Sequence, residues 1–205
     1  MFHNIVQTSK KKYLNFEQRH REILDSAISL FNTKGYRATT TAALAEAAGV
    51  SEPILYKHFK NKKELFLECF HCIMKDLVSE YRVARKEYQG DEIGYLTAVT
   101  NIYIRYVEQN PHKSKFLIHL LSYRDNPEFE KTFNKFMQDS INDIEEIINS
   151  AKKKATIKSK LNSRLLAGMF VTQYFTIVAL QGFVEARHLS STSVADLIKD
   201  MMSAK

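Results

Sequence analysis

Apolar and polar positions alternate at helical spacing along almost the whole chain. Ile23, Ala27, Leu30 and Phe31 recur on one helical face, and Asn15 with Gln18 three residues on forms a capping pair ahead of them. The Gly35-Tyr36 pair predicts the end of this first helix, because glycine accepts the left-handed backbone that closes one. A second helix is predicted over about 41–48, capped by Thr40, with Leu44, Ala45 and Ala48 facing inward. Gly49 makes the next turn. Ser51 caps a short third helix, whose first turn holds Pro53, where a missing N–H costs little. Asn61 and Glu64 cap a long fourth helix, about 62–88. Gly90-Asp91 opens a fifth, which Asn110-Pro111 ends, and a short sixth runs over about 113–123. Asn126-Pro127 starts a seventh that reaches about 153, where Lys152, Lys153 and Lys154 suit its negative end. An eighth helix covers about 159–187, and Ser193 with Asp196 caps a last one to about 203. The expectation is an all-α chain of about nine helices, preceded by a loose basic arm over 1–16.

Composition supports a helical, globular chain. The apolar share of 44% allows a real core, and six Gly and three Pro in 205 residues argue against a loop-rich or β-rich fold. Two cysteines in no disulfide-dense pattern suit a reducing cytoplasm. The first twelve residues place charge after a short apolar patch, the reverse of a secretory signal. Leu165–Val184 carries no formal charge over twenty residues, enough to span a membrane. Thr172, Gln173, Thr176 and Gln181 interrupt it, however, and a core helix packed on its own domain and on a partner shows the same pattern. The core reading is preferred, with no membrane.

Charge changes the picture more. Residues 1–64 hold 11 Lys and Arg against 6 Asp and Glu, whereas the remaining residues are nearly balanced, so most of the net charge of +7 sits in the first third. That is where a phosphate-binding module would need it. The same region reads GYRATTTAALAEAAGVSEPILYKHFKNKKELF over 35–66: two short helices about a tight corner, then a basic helix start. This is the layout of a helix-turn-helix, which lays its second helix in the major groove of DNA. Only the first turns of so short a helix reach the groove floor, so Ser51, Glu52, Pro53 and Lys57 are the candidates for base edges. Pro53 offers an apolar surface to a thymine methyl, and Glu52 an acceptor to a cytosine amine. Thr40, Thr41, Tyr56, His58 and Lys62 are the candidates for phosphate contacts, Lys62 at a helix N-terminus that itself attracts anions.

Gly35-Tyr36, the Thr40-Thr41 pair, Leu44-Ala45, Ala48-Gly49-Val50-Ser51, Leu55-Tyr56-Lys57-His58-Phe59 and Lys62-x-x-Leu65 together resemble the DNA-binding domain of the TetR family of bacterial repressors. The resemblance is close over 17–66 and architectural beyond, and this chain departs from the family pattern at Glu52 and Pro53. It implies a DNA-binding domain over 17–62 and a helical effector-binding and dimerisation domain over 63–205, with phosphate contacts at Thr41, Tyr56, His58 and Lys62 and pairing through the last two long helices. The function it implies is a ligand-responsive transcriptional regulator, a repressor that a small, largely apolar or aromatic molecule releases from operator DNA.

For that molecule the chain offers Asn101, Tyr103, Tyr106, Phe116, His119, Tyr123, Phe170, Gln173 and Tyr174, though aromatics at helical spacing also simply build cores. Leu165, Met169, Thr172, Thr176, Leu180, Phe183 and Leu197 are the candidate dimer face. Two other readings stand beside this one. One is a dimeric helical adaptor without DNA binding. The other is a redox-responsive regulator using Cys69 and Cys72, whose single C-x-x-C lacks the second pair a metal site needs. No enzyme motif is present: there is no G-x-S-x-G, H-E-x-x-H or glycine-rich phosphate loop, and neither a metal nor a cofactor is implied.

Overall fold

The computed structural model describes residues 2–123, 126–157, 160 and 162–180. Among these residues are eight α-helices and no β-strand: α1 (Phe2–Ala38), α2 (Thr41–Ala47), α3 (Glu52–His58), α4 (Lys62–Glu87), α5 (Glu92–Gln109), α6 (Pro111–Leu120), α7 (Pro127–Lys153) and α8 (Ser163–Leu180). A 3-10 turn, Leu121–Tyr123, follows α6. The expected ninth helix over 193–203 lies outside the described residues.

Two compact units divide the chain, Met1–Ile73 and Met74–Lys205, and the boundary falls inside α4 rather than at residue 62. The first turns of α4 belong to the first unit because Leu65, Phe66, Cys69, Phe70 and Ile73 are buried in it. They join Ile23, Leu24, Ala27, Ile28 and Phe31 of α1, Leu44 and Ala45 of α2, Leu55 of α3, and Phe59. Leu24 and Ile28 fill the α1 face where Leu30 was expected; Leu30 and Ala48 are only half-buried. Phe66 meets Phe31 edge-on, with ring centroids 5.1 Å apart.

Helix α1 starts at Phe2, so residues 2–14 continue it and the expected loose arm is absent. No Gly or Pro precedes Asn15, and a capping pair does not start a helix where the chain before it is already helical. At its other end Gly35 takes φ 74° and ψ 162°, a conformation that interrupts the helix one turn before Ala38. Gly49, at φ 64°, closes α2 in the Schellman manner: Val50 N–H donates to Ala45 O at 2.9 Å and Gly49 N–H to Glu46 O at 3.0 Å.

In the second unit α7 and α8 pack together, with α5 and α6 against them. Leu96 and Val99 of α5, Ile144, Ile147, Ile148 and Ala151 of α7, and Ala167, Phe170 and Val171 of α8 form the core. Helix α6 begins at Pro111, two residues earlier than expected, because proline is well placed at a first helical position. Helix α8 begins at Ser163, four residues later than expected. Lys154 joins the end of α7 to the start of α5, donating to Gly90 O at 2.8 Å and to Glu92 Oε1 at 2.7 Å. Among the described residues no helix is long and apolar enough to cross a membrane.

Candidate nucleic-acid interface

Helix α3 has seven residues, of which only Leu55 is buried. A helix this short does not persist alone, so its neighbours fix it in place. With Leu55 turned inward, Pro53, Ile54, Tyr56 and Lys57 are exposed, Ile54 at 39% and Tyr56 at 49%. Tyr56, a candidate phosphate ligand, thus has its side chain on the exposed face of α3. Glu52 is half-buried in the first turn. Ser51 occupies the N-cap position but makes no capping hydrogen bond, contrary to expectation, and its side chain is exposed.

Helix α2 packs on α3. Thr40 caps it, its Oγ1 accepting from Ala43 N–H at 3.1 Å. Thr40 is exposed, and Thr41, the first helical residue, is half-buried. Thr39 is buried and donates its hydroxyl to Gly35 O at 2.6 Å.

Two candidate phosphate ligands are turned elsewhere. The His58 ring stacks on Phe16 of α1 with centroids 4.1 Å apart, and His20, itself 4.5 Å from Phe59, flanks it. Its Nδ1 is buried without a hydrogen-bond partner. Burial, then His20 and Arg19, push its pKa down, so the neutral ring is favoured. Lys62 donates from Nζ to Tyr36 O at 2.9 Å and to Thr39 O at 2.7 Å, and its ammonium stands 4.4 Å from the centre of the Tyr36 ring. Burial lowers its pKa as well. Sequence reasoning missed Ile54, Phe16 and His20. A signal existed for Ile54, because the neighbour of a core residue in a short helix faces outward; Phe16 lies too far from His58 along the chain for spacing to reveal it.

In the second unit the structure brings Tyr103, Phe170, Gln173 and Tyr174 together between α5 and α8. The Tyr103 hydroxyl donates to Tyr174 O at 3.1 Å, the two rings lie 4.3 Å apart, and Gln173 Nε2 reaches Thr100 Oγ1 at 3.4 Å. Burial holds both phenols well above their ordinary range, so they remain protonated. Phe116 and Tyr106 are buried and Tyr123 is half-buried. Asn101 Oδ1 and His119 Nε2 are buried without a hydrogen-bond partner, and burial followed by Lys115 lowers the His119 pKa. On α8, Leu165 and Met169 are 63% and 50% exposed, and Thr172 and Thr176 continue the same outward stripe. The Leu180 side chain, Phe183 and Leu197 lie outside the described residues.

The first cysteine of the C-x-x-C has little thiolate character. Cys69 is fully buried, its thiol facing Leu24 O at 3.8 Å, and desolvation pushes its pKa well up.

Residues 23–69 match the profile of the bacterial regulatory proteins of the tetR family. Over 64 residues the chain is 41% identical to the HTH-type transcriptional repressor KstR2 of Rhodococcus jostii, covering 31% of each chain. Over 94 residues it is 32% identical to the HTH-type transcriptional activator FasR of Mycolicibacterium smegmatis, covering 46% of this chain and 42% of that one. The matched part is thus less than half the length of either relative. The crystal structure of AibR in complex with isovaleryl coenzyme A and operator DNA shares the fold over 90% of this chain and 98% of that one, with a TM-score of 0.70 at 21% identity.

Proposed function

We propose that this chain, whose residues 23–69 match the tetR-family profile, is a ligand-responsive transcriptional regulator with a TetR-like DNA-binding domain: a dimeric repressor that a small, largely apolar or aromatic molecule releases from its operator. The observation that carries this reading is α3, held by buried Leu55 with Pro53, Ile54, Tyr56 and Lys57 outward, in the part of the chain with the basic excess. Ser51, Glu52, Pro53 and Lys57 meet base edges, and Thr40, Thr41 and Tyr56 meet phosphates. His58 and Lys62 serve the same surface chiefly from behind. Two copies pair through the outward stripe of α8 and the chain beyond it, which presents two reading heads to two half-sites. The protein works in the cytoplasm, where its DNA is.

The effector enters the second unit near Tyr103, Phe170, Gln173 and Tyr174, with Asn101 and His119 as polar anchors. AibR, of similar fold, was solved with an acyl coenzyme A and operator DNA together, which favours a ligand with an apolar tail. By binding one arrangement of α4 better than another, the ligand shifts the heads off the half-site spacing, and only by that difference in affinity. Nothing in the site calls for catalysis. The buried Cys69 speaks against the redox reading.

The test is fluorescence anisotropy on duplexes selected from the source genome, across about 50 to 200 mM salt. A regulator shows log K falling with log salt at a slope of about −0.9 per phosphate neutralised. Absence of binding at low salt sinks the reading and leaves the helical adaptor. Tight effector binding with unchanged operator affinity sinks the switch alone.

A further inference from the structure

Lys62 opens α4, where a cation commonly meets a DNA phosphate, yet its ammonium already has partners. Two of its three N–H groups are directed at Tyr36 O and Thr39 O, 26 and 23 residues earlier in the chain. These carbonyls lie just past the Gly35 interruption of α1, near the negative end of that helix's dipole. The ammonium also stands 4.4 Å from the centre of the Tyr36 ring. That ring packs 4.8 Å from Phe66, one turn further along α4, so the same corner is tied to α4 twice. Thr39 immediately precedes Thr40, the cap of α2. One side chain therefore joins the end of α1, the start of α2 and the start of α4.

We infer that Lys62 is a positioning residue for DNA reading: it straps the Tyr36–Thr39 corner to α4, and so fixes the α2 start and the α3 helix that packs on α2, rather than acting mainly as a phosphate ligand. This inference rests on the DNA-reading function proposed above. The physical ground is competition. A phosphate that drew this ammonium away would leave Thr39 O without this donor and Tyr36 O with only the 3.3 Å bond from Thr39 N–H, and would pull the cation off an aromatic face, whereas exposed Lys60 reaches a phosphate at no such cost. Without the strap the Thr40-Thr41 helix start samples several orientations, and base contacts, which need registry, suffer before phosphate contacts, which do not.

The experiment compares Lys62→Met, which keeps the apolar stem, with Lys60→Met. The probes are a duplex selected from random sequence by the wild-type protein and an unrelated duplex, each titrated across about 50 to 200 mM salt. For Lys62→Met the expected result is a loss of about tenfold or more on the selected duplex, little change on the unrelated one, and an unaltered salt slope. Lys60→Met lowers the slope by about 0.9 per reading head on both duplexes. A slope loss of that size in Lys62→Met, equal on both duplexes, makes Lys62 a phosphate ligand and overturns the inference. A lower melting temperature with an intact ratio of selected to unrelated affinity reduces it to a stabilising contact, which also overturns it. Should Lys62→Met not fold, nitrogen-15 spectra of the wild-type ammonium decide: slowed proton exchange and couplings to the Tyr36 and Thr39 carbonyls persist when the selected duplex is added, and their loss on adding it refutes the strap. If the wild-type protein retains no duplex, the DNA-reading function falls and this inference with it. Normal wild-type binding with an indifferent Lys62→Met removes this inference alone.

Discussion

Replacing Leu55 with Ala tests how α3 is held. Leu55 is 2% exposed and is the only buried residue among the seven of α3. A helix of that length lies well below the roughly 12–15 residues at which isolated helices become even marginal. Its place therefore depends on Leu55, on buried Phe59 just after it, and on the Gly49 turn before it. Truncating a buried leucine to alanine costs about 2–5 kcal/mol, the upper end where surrounding atoms do not close the cavity. Against a total stability of about 5–15 kcal/mol the variant still folds at low temperature, with a large part of its margin gone.

Urea unfolding followed by far-ultraviolet circular dichroism measures that loss, and anisotropy on a selected duplex, well below the unfolding transition, measures its effect on reading. The expected outcome is a loss of about 3 kcal/mol together with a large loss of selected-duplex affinity, although Leu55 touches no DNA. The control is the next residue. Tyr56 is 49% exposed, so Tyr56→Phe stays within about 0.5 kcal/mol of wild type while weakening DNA binding. If Leu55→Ala costs under about 1 kcal/mol, or Tyr56→Phe costs as much as Leu55→Ala, then α3 is not held by the face the structure assigns.

Thr40→Ala leaves Ala43 N–H without its acceptor and lowers stability by about 1 kcal/mol in urea unfolding, with Thr40→Ser restoring most of it; equal stability of all three proteins rules out the cap. Ala155, at φ 58°, closes α7 in a left-handed conformation that L side chains resist, so Ala155→Gly raises stability by about 0.5–1 kcal/mol, and a loss instead contradicts that backbone. His58 is held below its ordinary value, so the unfolded chain takes up that proton first and stability falls as pH drops through about 6.5. His58→Gln flattens part of this fall in urea midpoints between about pH 7.5 and 5.5, with His119 supplying another part, and an unchanged pH profile argues against the shielding of the His58 ring. If exposed Pro53 and Ile54 read thymine methyls, replacing thymidine by deoxyuridine in the selected duplex weakens binding by about 0.8 kcal/mol for each methyl buried, and indifference to that replacement removes apolar reading.

What the sequence revealed and what it hid divide along one physical line. The helix-turn-helix was legible because its determinants are local: Gly49 at the turn, Thr40 at a cap, and Leu44 and Leu55 at the spacing of a buried face. The ends of α2, α4 and α5 lie within about one residue of their expected positions for the same reason. The start of α1 was hidden because Lys10, Lys11 and Lys12 look equally like a solvated arm and a solvated helix face, and only the rest of the chain decides which. The direction of Lys62 was hidden too. A long cationic side chain goes where acceptors are, and its acceptors lie at Tyr36 and Thr39. His58 likewise turns to Phe16, a partner that no periodicity links to it.

The same contrast bears on how such a surface works. Of the candidate DNA contacts, those with polar or apolar surface turned outward are Thr40, Ser51, Pro53, Tyr56 and Lys57, to which the structure adds Ile54. Only Lys57 among these is cationic, and Glu52 beside them is acidic. A reading head built this way draws little of its affinity from counterion release by α3 itself; the exposed lysines around it, such as Lys34 and Lys60, have to supply the long-range attraction. Discrimination then falls to hydroxyls and apolar groups, whose contacts are short-ranged and tolerate little misplacement. Weak charge on the helix and tight fixation behind it are therefore two sides of one arrangement. The fewer cations α3 carries, the more its registry depends on Leu55 from beneath, on the Phe16–His58 stack at its end, and on the Lys62 strap beside it.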